Sequence, residues 1–196
     1  MDTKNKNKKL LFVHIPKTGG ISIFRQEHVP LTRVIHHFPR VDPCGTIQIS
    51  LLHMSVVEPD FRDYESFTVI RCPIDRFLSA YAYLRQGGMR NSTDLKYQAL
   101  LLSYPTLDDV LENLSELKTK IVHFVDQAAF VADEQDRILV NHVIRFENLR
   151  EELERLDPGF ASLPHLNASS HPPIVLTPEQ KRQLTEIYQR DFRIFF

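Results

Sequence analysis

The stretch Leu10–Arg25, LLFVHIPKTGGISIFR, decides the fold. Its apolar, β-leaning run from Leu10 to Ile15 has the length of a buried strand. Pro16 then removes a ladder donor, and Lys17-Thr18-Gly19-Gly20 follows at once. Beyond the glycines, Ile21, Ile23 and Phe24 are apolar while Ser22, Arg25 and Gln26 are polar, a spacing that predicts a helix. The segment reads as strand, tight glycine loop, helix. Such a loop presents backbone N–H groups at a helix N-terminus, which attract a phosphate or sulfate. Lys17 adds a cation, and Thr18 and Ser22 add hydroxyls. The common phosphate-loop spacing, G-x-x-x-x-G-K followed by Ser or Thr, is absent: here lysine precedes the glycines and the loop is shorter. Alone, the loop is also compatible with a plain strand-to-helix turn carrying a solvated lysine.

Ser66–Arg85, SFTVIRCPIDRFLSAYAYLR, repeats the arrangement with other chemistry. Phe67–Ile70 is a short β-branched and aromatic run that predicts a buried strand. Arg71 sits at its end, and Pro73 opens a helix. In that helix Ile74, Phe77, Leu78, Tyr81 and Leu84 mark an apolar face. Arg71, at the strand end, and Ser79, about two helical turns on, can serve one phosphate, the arginine by a bidentate contact. Arg71 as an ordinary strand-end charge is the alternative.

Taken together, HIPKTGG and the later R-x-P-x-x-R-x-x-S-x-Y segment resemble the sulfotransferases that use 3′-phosphoadenosine-5′-phosphosulfate. The likeness is to the carbohydrate branch that includes the heparan sulfate O-sulfotransferases. It extends from Leu10 to about Phe196, although only these two stretches are specific. In that family the first motif binds the 5′-phosphosulfate and the second the 3′-phosphate. The resemblance thus implies that Lys17, Thr18, Gly19, Gly20 and Ser22 take the first role, and Arg71 and Ser79 the second. Two positions depart from the family pattern. Cys72 stands where aspartate is usual, and Ile21 where threonine is frequent.

With 196 residues, one domain over 10–196 after a disordered lead of 1–9 is expected, enough to bury roughly 70% of the unfolded surface. Lysine and arginine number 24 against 25 acidic residues, so no basic field points to nucleic acid. No apolar run approaches the ~20 residues of a membrane span. Leu10–Ile15 is also shorter than the apolar region of a signal peptide, about 7–15 residues. With Cys44 and Cys72 as the only cysteines, a reduced cytoplasmic setting is the economical reading. Eukaryotic members of the resembled family are typically anchored in the Golgi membrane, which makes a bacterial or trimmed relative the expectation here.

Further strands are predicted over Thr32–Phe38 and Asn141–Phe146. Pro39–Gly45 reads as a turn-rich connector, and Thr46–Ser50 alternates weakly. Gly87-Gly88 sits where a helix C-terminal cap belongs. Helices are expected over Leu95–Ser103, Leu107–Leu114 and Glu147–Leu156, and from Thr177 to about Phe192. Leu117–Val131 reads as core without a clean period. Strands alternating with helices predict an α/β fold, a P-loop-like three-layer sandwich with a mainly parallel central sheet flanked by helices. Both motifs fall just past strand C-terminal ends, where such sheets bind ligands.

Sulfuryl transfer to an alcohol needs an in-line donor, an offset for charge on the leaving phosphate, and a base for the hydroxyl proton. Lys17 suits the second need. Histidine suits the third without a shifted pKa. His53 lies where related carbohydrate sulfotransferases often place a catalytic histidine; His36, His37 and Glu58 are the alternatives. His14, His123 and His142 read as structural. The loop LPHLNASSHPP approaches the nucleotide in the family pattern, which implies donor contacts from Asn167 and Ser169, and from His165. No histidine or cysteine spacing suggests a metal site, and this chemistry needs none. The expected acceptor is a hydroxyl of a carbohydrate or similar molecule, selected by His53–Asp63 and Gly87–Thr106. A nucleotide-dependent kinase and a catalytically silent nucleotide- or glycan-binding module are the competing readings.

Overall fold

Four short strands set the architecture of the protein, seen here in a computed structural model that describes residues 9–24, 31–35, 40–41, 47–48, 63–161 and 173–196. They are β1 (Leu10–Val13), β2 (Leu31–Ile35), β5 (Glu65–Ile70) and β6 (His142–Arg145). They form one sheet in the order β2-β1-β5-β6, and every neighbouring pair is parallel. All four residues of β1 are buried, as a strand covered on both faces requires. The fold is α/β, as its alternating strands and helices predict.

The chain divides into two compact units. The first takes the described residues of Met1–Phe38, Ile49–Arg71 and Ala128–Ala168. It holds the sheet, α1 (Gly20–Phe24), the short α6 (Ala128–Val131) and α7 (Leu149–Leu156). Alternate residues Leu10, Phe12, Phe67, Val69 and Ile144 line one sheet face and pack with Ile23 of α1, Leu153 of α7, and Phe160. Phe12 and Phe67, opposite each other in register, stack with ring centres 5.0 Å apart. On the other side of the pleat the Thr68 hydroxyl donates to the Val13 carbonyl at 2.8 Å. Asn141 ties the starts of β5 and β6: its Oδ1 accepts from the Ser66 N–H at 2.8 Å and the Ser66 hydroxyl at 2.7 Å.

The second unit takes the described residues of Pro39–Gln48, Cys72–Gln127 and Ser169–Phe196. Its helices are α2 (Pro73–Arg85), α3 (Ser92–Leu102), α4 (Leu107–Glu112), α5 (Leu114–Lys120), α8 (Pro178–Ile187) and α9 (Gln189–Phe195). Past α2, Gly87 and Gly88 have φ of +84° and +55°, and their N–H groups donate to the carbonyls of Leu84 and Tyr83. This is the glycine cap expected there. Arg76 is fully buried: its guanidinium donates to the carbonyls of His123, at 3.2 Å, and Val125, and lies 6.0 Å from the centre of the Tyr188 ring. Tyr188 donates in turn to the Phe124 carbonyl at 2.8 Å.

Four expectations are corrected. Arg40–Val41 (β3) is a strand paired antiparallel with Ile47–Gln48 (β4), where a connector was expected. Two residues are too few to carry a period. The helix expected over Leu107–Leu114 ends at Glu112, and α5 starts at Leu114. Asn113 between them turns its side-chain amide onto the Asp109 carbonyl at 2.8 Å, an alternative to the helical ladder that asparagine offers. The last helix breaks at Tyr188, whose φ of −102° and ψ of 22° turn its ring inward. His142, expected in apolar surroundings, pairs with the charged Glu65 on β5, two residues before its register partner Phe67. Among the described residues no helix is long and apolar enough to cross a membrane.

Arg76→Met keeps the apolar stem but leaves two carbonyls without their donor, at about 1–3 kcal/mol for each unsatisfied group. Urea unfolding of this variant is expected to show a loss of about 2–6 kcal/mol; an unchanged midpoint would refute the clamp.

Candidate active site

Three segments leave the sheet at the C-terminal ends of its strands, all within the first unit. They are His14–Gly20 after β1, Arg71 after β5, and the 3-10 turn Phe146–Asn148 after β6. Because the strands are parallel, the three exits share one edge, and that of β5 lies between the other two.

The glycine loop is held by its own contacts. Thr18 is buried, and its hydroxyl donates to the Ile15 carbonyl at 2.9 Å. That bond folds the loop back on the strand end. Lys17 has φ of +69° and Gly19 of +83°. For a lysine this left-handed conformation costs roughly 1–3 kcal/mol, the kind of strain that concentrates at binding and catalytic sites. The Lys17 side chain is half-buried. The Ser22 N–H donates to the Gly19 carbonyl at 3.0 Å and starts α1, with the Ser22 side chain buried.

The two glycines are needed for different reasons. A Cβ on Gly19 would meet Phe146 Cε2 at 2.8 Å, in addition to its positive φ. Gly20 has no such φ, but a Cβ there would lie 2.1 Å from Cδ2 of His14. His14 follows the last residue of β1, is buried, and lies 5.8 Å from the Phe12 ring, centre to centre. It supports the loop from beneath.

Arg71 is half-buried, with its guanidinium carbon 4.7 Å from the centre of the Phe146 ring. The structure thus brings Lys17, Thr18, Gly19, Gly20, Ser22 and Arg71 to one sheet edge. Ser79 belongs to the second unit, where it is buried on α2. His53, Asn167 and Ser169, together with His36, His37, Glu58 and His165, lie outside the described residues. Phe146 is the residue that sequence reading missed; it closes a predicted strand and carries no motif of its own.

A family model described as the sulfotransferase family matches residues 46–196. The chain belongs to that family. No curated protein matches it.

Gly20→Ala is expected to destabilise the protein by about 1–3 kcal/mol through overpacking on His14. In a double-mutant cycle with His14→Ala the two losses should fail to add, by about 0.5–3 kcal/mol. Additive melts would show that another contact excludes the Cβ.

Proposed function

We propose that the protein transfers a sulfuryl group from 3′-phosphoadenosine-5′-phosphosulfate to a hydroxyl of a carbohydrate or similar acceptor. The observation that carries this reading is the placement of the strained Lys17–Gly20 loop and Arg71 at neighbouring strand ends in a chain of the sulfotransferase family. The loop amides, Lys17 and Ser22 take the 5′-phosphosulfate, and Arg71 takes the 3′-phosphate with Ser79. Asn167 and Ser169 complete the nucleotide contacts.

In the transfer the acceptor oxygen attacks sulfur, and the bond from sulfur to the bridging oxygen breaks. Its electron pair stays on the phosphate of the departing adenosine 3′,5′-bisphosphate, where the Lys17 ammonium offsets the new charge. The acceptor proton goes to His53, with His36, His37 and Glu58 as the other candidates. The base is the one whose loss abolishes transfer while binding of the spent donor persists.

Adenosine 3′,5′-bisphosphate is expected to raise the melting temperature, while ADP and ATP with magnesium do little. At about 100 times the dissociation constant, linkage supplies about 2.7 kcal/mol. For a chain of this size that is a shift of roughly 5–10 °C. Arg71→Ala should remove most of it. The opposite ligand order would favour a kinase, and no response to any of the three a silent glycan-binding module without a nucleotide site; either sinks the reading.

Lys17→Ala should lower kcat about 100–1,000-fold with a much smaller change in donor affinity, because the charge it offsets develops in the transition state. Near-normal turnover would remove the loop from the chemistry.

A further inference from the structure

We propose that Phe146 is a positioning residue that holds the glycine loop and Arg71 in register across the end of β5. The inference rests on the donor-binding reading above. Phe146 is the first residue past β6, yet its ring meets both motifs. Its edge atoms Cε2 and Cδ2 lie 2.8 and 3.2 Å from where a Gly19 Cβ would stand, and its centre lies 4.7 Å from the Arg71 guanidinium carbon. The ring is anchored, since Phe146 packs against the sheet core formed by Phe12, Phe67 and Ile144.

A phenylalanine has two rotatable side-chain bonds, so a ring fixed in this way is a stiff spacer. An arginine on its face is attracted by the ring quadrupole and keeps its planar fork in one orientation. Ordering a long side chain before the ligand arrives lowers the entropy lost on binding. Gly19 is what permits the approach: any larger residue would push the ring, and with it the seat of Arg71, away from the loop. The same ring therefore sets the spacing between the cation for one phosphate and the amides for the other.

The test uses the full chain and compares adenosine 3′,5′-bisphosphate with AMP, which lacks the 3′-phosphate, by calorimetric titration. Their affinity ratio reads what Arg71 does for the 3′-phosphate. Phe146→Leu keeps an apolar side chain without the quadrupole, and the ratio is expected to fall roughly tenfold. Phe146→Tyr, which keeps the ring, should retain the wild-type ratio; the Arg71→Ala background separates an effect through the arginine from mere space filling. In an Arg71→Ala background Phe146→Leu should cause no further fall. Phe146→Met serves in place of leucine if that variant fails to fold. An unchanged ratio in Phe146→Leu, or an equal fall without Arg71, overturns the positioning role and leaves the donor reading standing. A wild-type protein indifferent to the 3′-phosphate overturns both.

Discussion

Parallel pairing is the constraint on which the site depends. Two parallel strands cannot be joined by a tight hairpin, so each must leave the sheet at its C-terminal end and return by a crossover. In this chain β1, β5 and β6 all obey that rule, and their exits fall on one edge although they lie far apart in sequence. A loop carrying a lysine, an arginine and an aromatic ring are thereby neighbours at adjacent strand ends. The stacked Phe12 and Phe67 beneath fix the β1–β5 register. A slip by one residue would turn every side chain of the slipped strand to the opposite face.

Within this frame, identical residue types take opposite roles. Arg71 and Arg76 belong to one motif, five positions apart. Arg71 is half-buried at a strand end with its guanidinium over a ring. Arg76 is fully buried and spends donors on the carbonyls of His123 and Val125. Burial of an arginine is costly unless its N–H groups find acceptors, and these two carbonyls serve its two terminal nitrogens. The first arginine lies between the end of β5 and the start of α2; the second is consumed in holding the polypeptide together.

Legibility in the sequence followed the length scale of each interaction. The strand-loop-helix of Leu10–Phe24 and the glycine cap after α2 are local, set by a few adjacent residues, and both were readable. So was the start of α8 at Thr177, whose side chain caps the helix ahead of Pro178. The break at Asn113 depends on one side chain preferring the Asp109 carbonyl to solvent, which periodicity does not report. The pairing of His142 with Glu65 depends on strand order. Phe146 depends on it twice, since its partners Gly19 and Arg71 follow two other strands. The family resemblance named the residues with charge and hydroxyls; it did not name the apolar one between them.

Strand exits also explain why the departure at Cys72 is tolerable. Cys72 occupies the N-cap of α2, and its side chain makes no capping hydrogen bond. Aspartate, usual at this position in the resembled family, is among the best N-caps, worth about 0.5–2 kcal/mol over a residue that cannot cap. Its replacement therefore weakens a helix start, and Pro73 at the first helical position limits the damage because proline has no N–H to leave unsatisfied. The Cys72 carbonyl still accepts from the Arg76 N–H at 2.9 Å, so the first turn closes. Arg71, one residue earlier, has its orientation set from the other side, by a ring seated on the sheet core. A lost cap and a seated arginine are separate matters, and the chain can forgo the first while keeping the second.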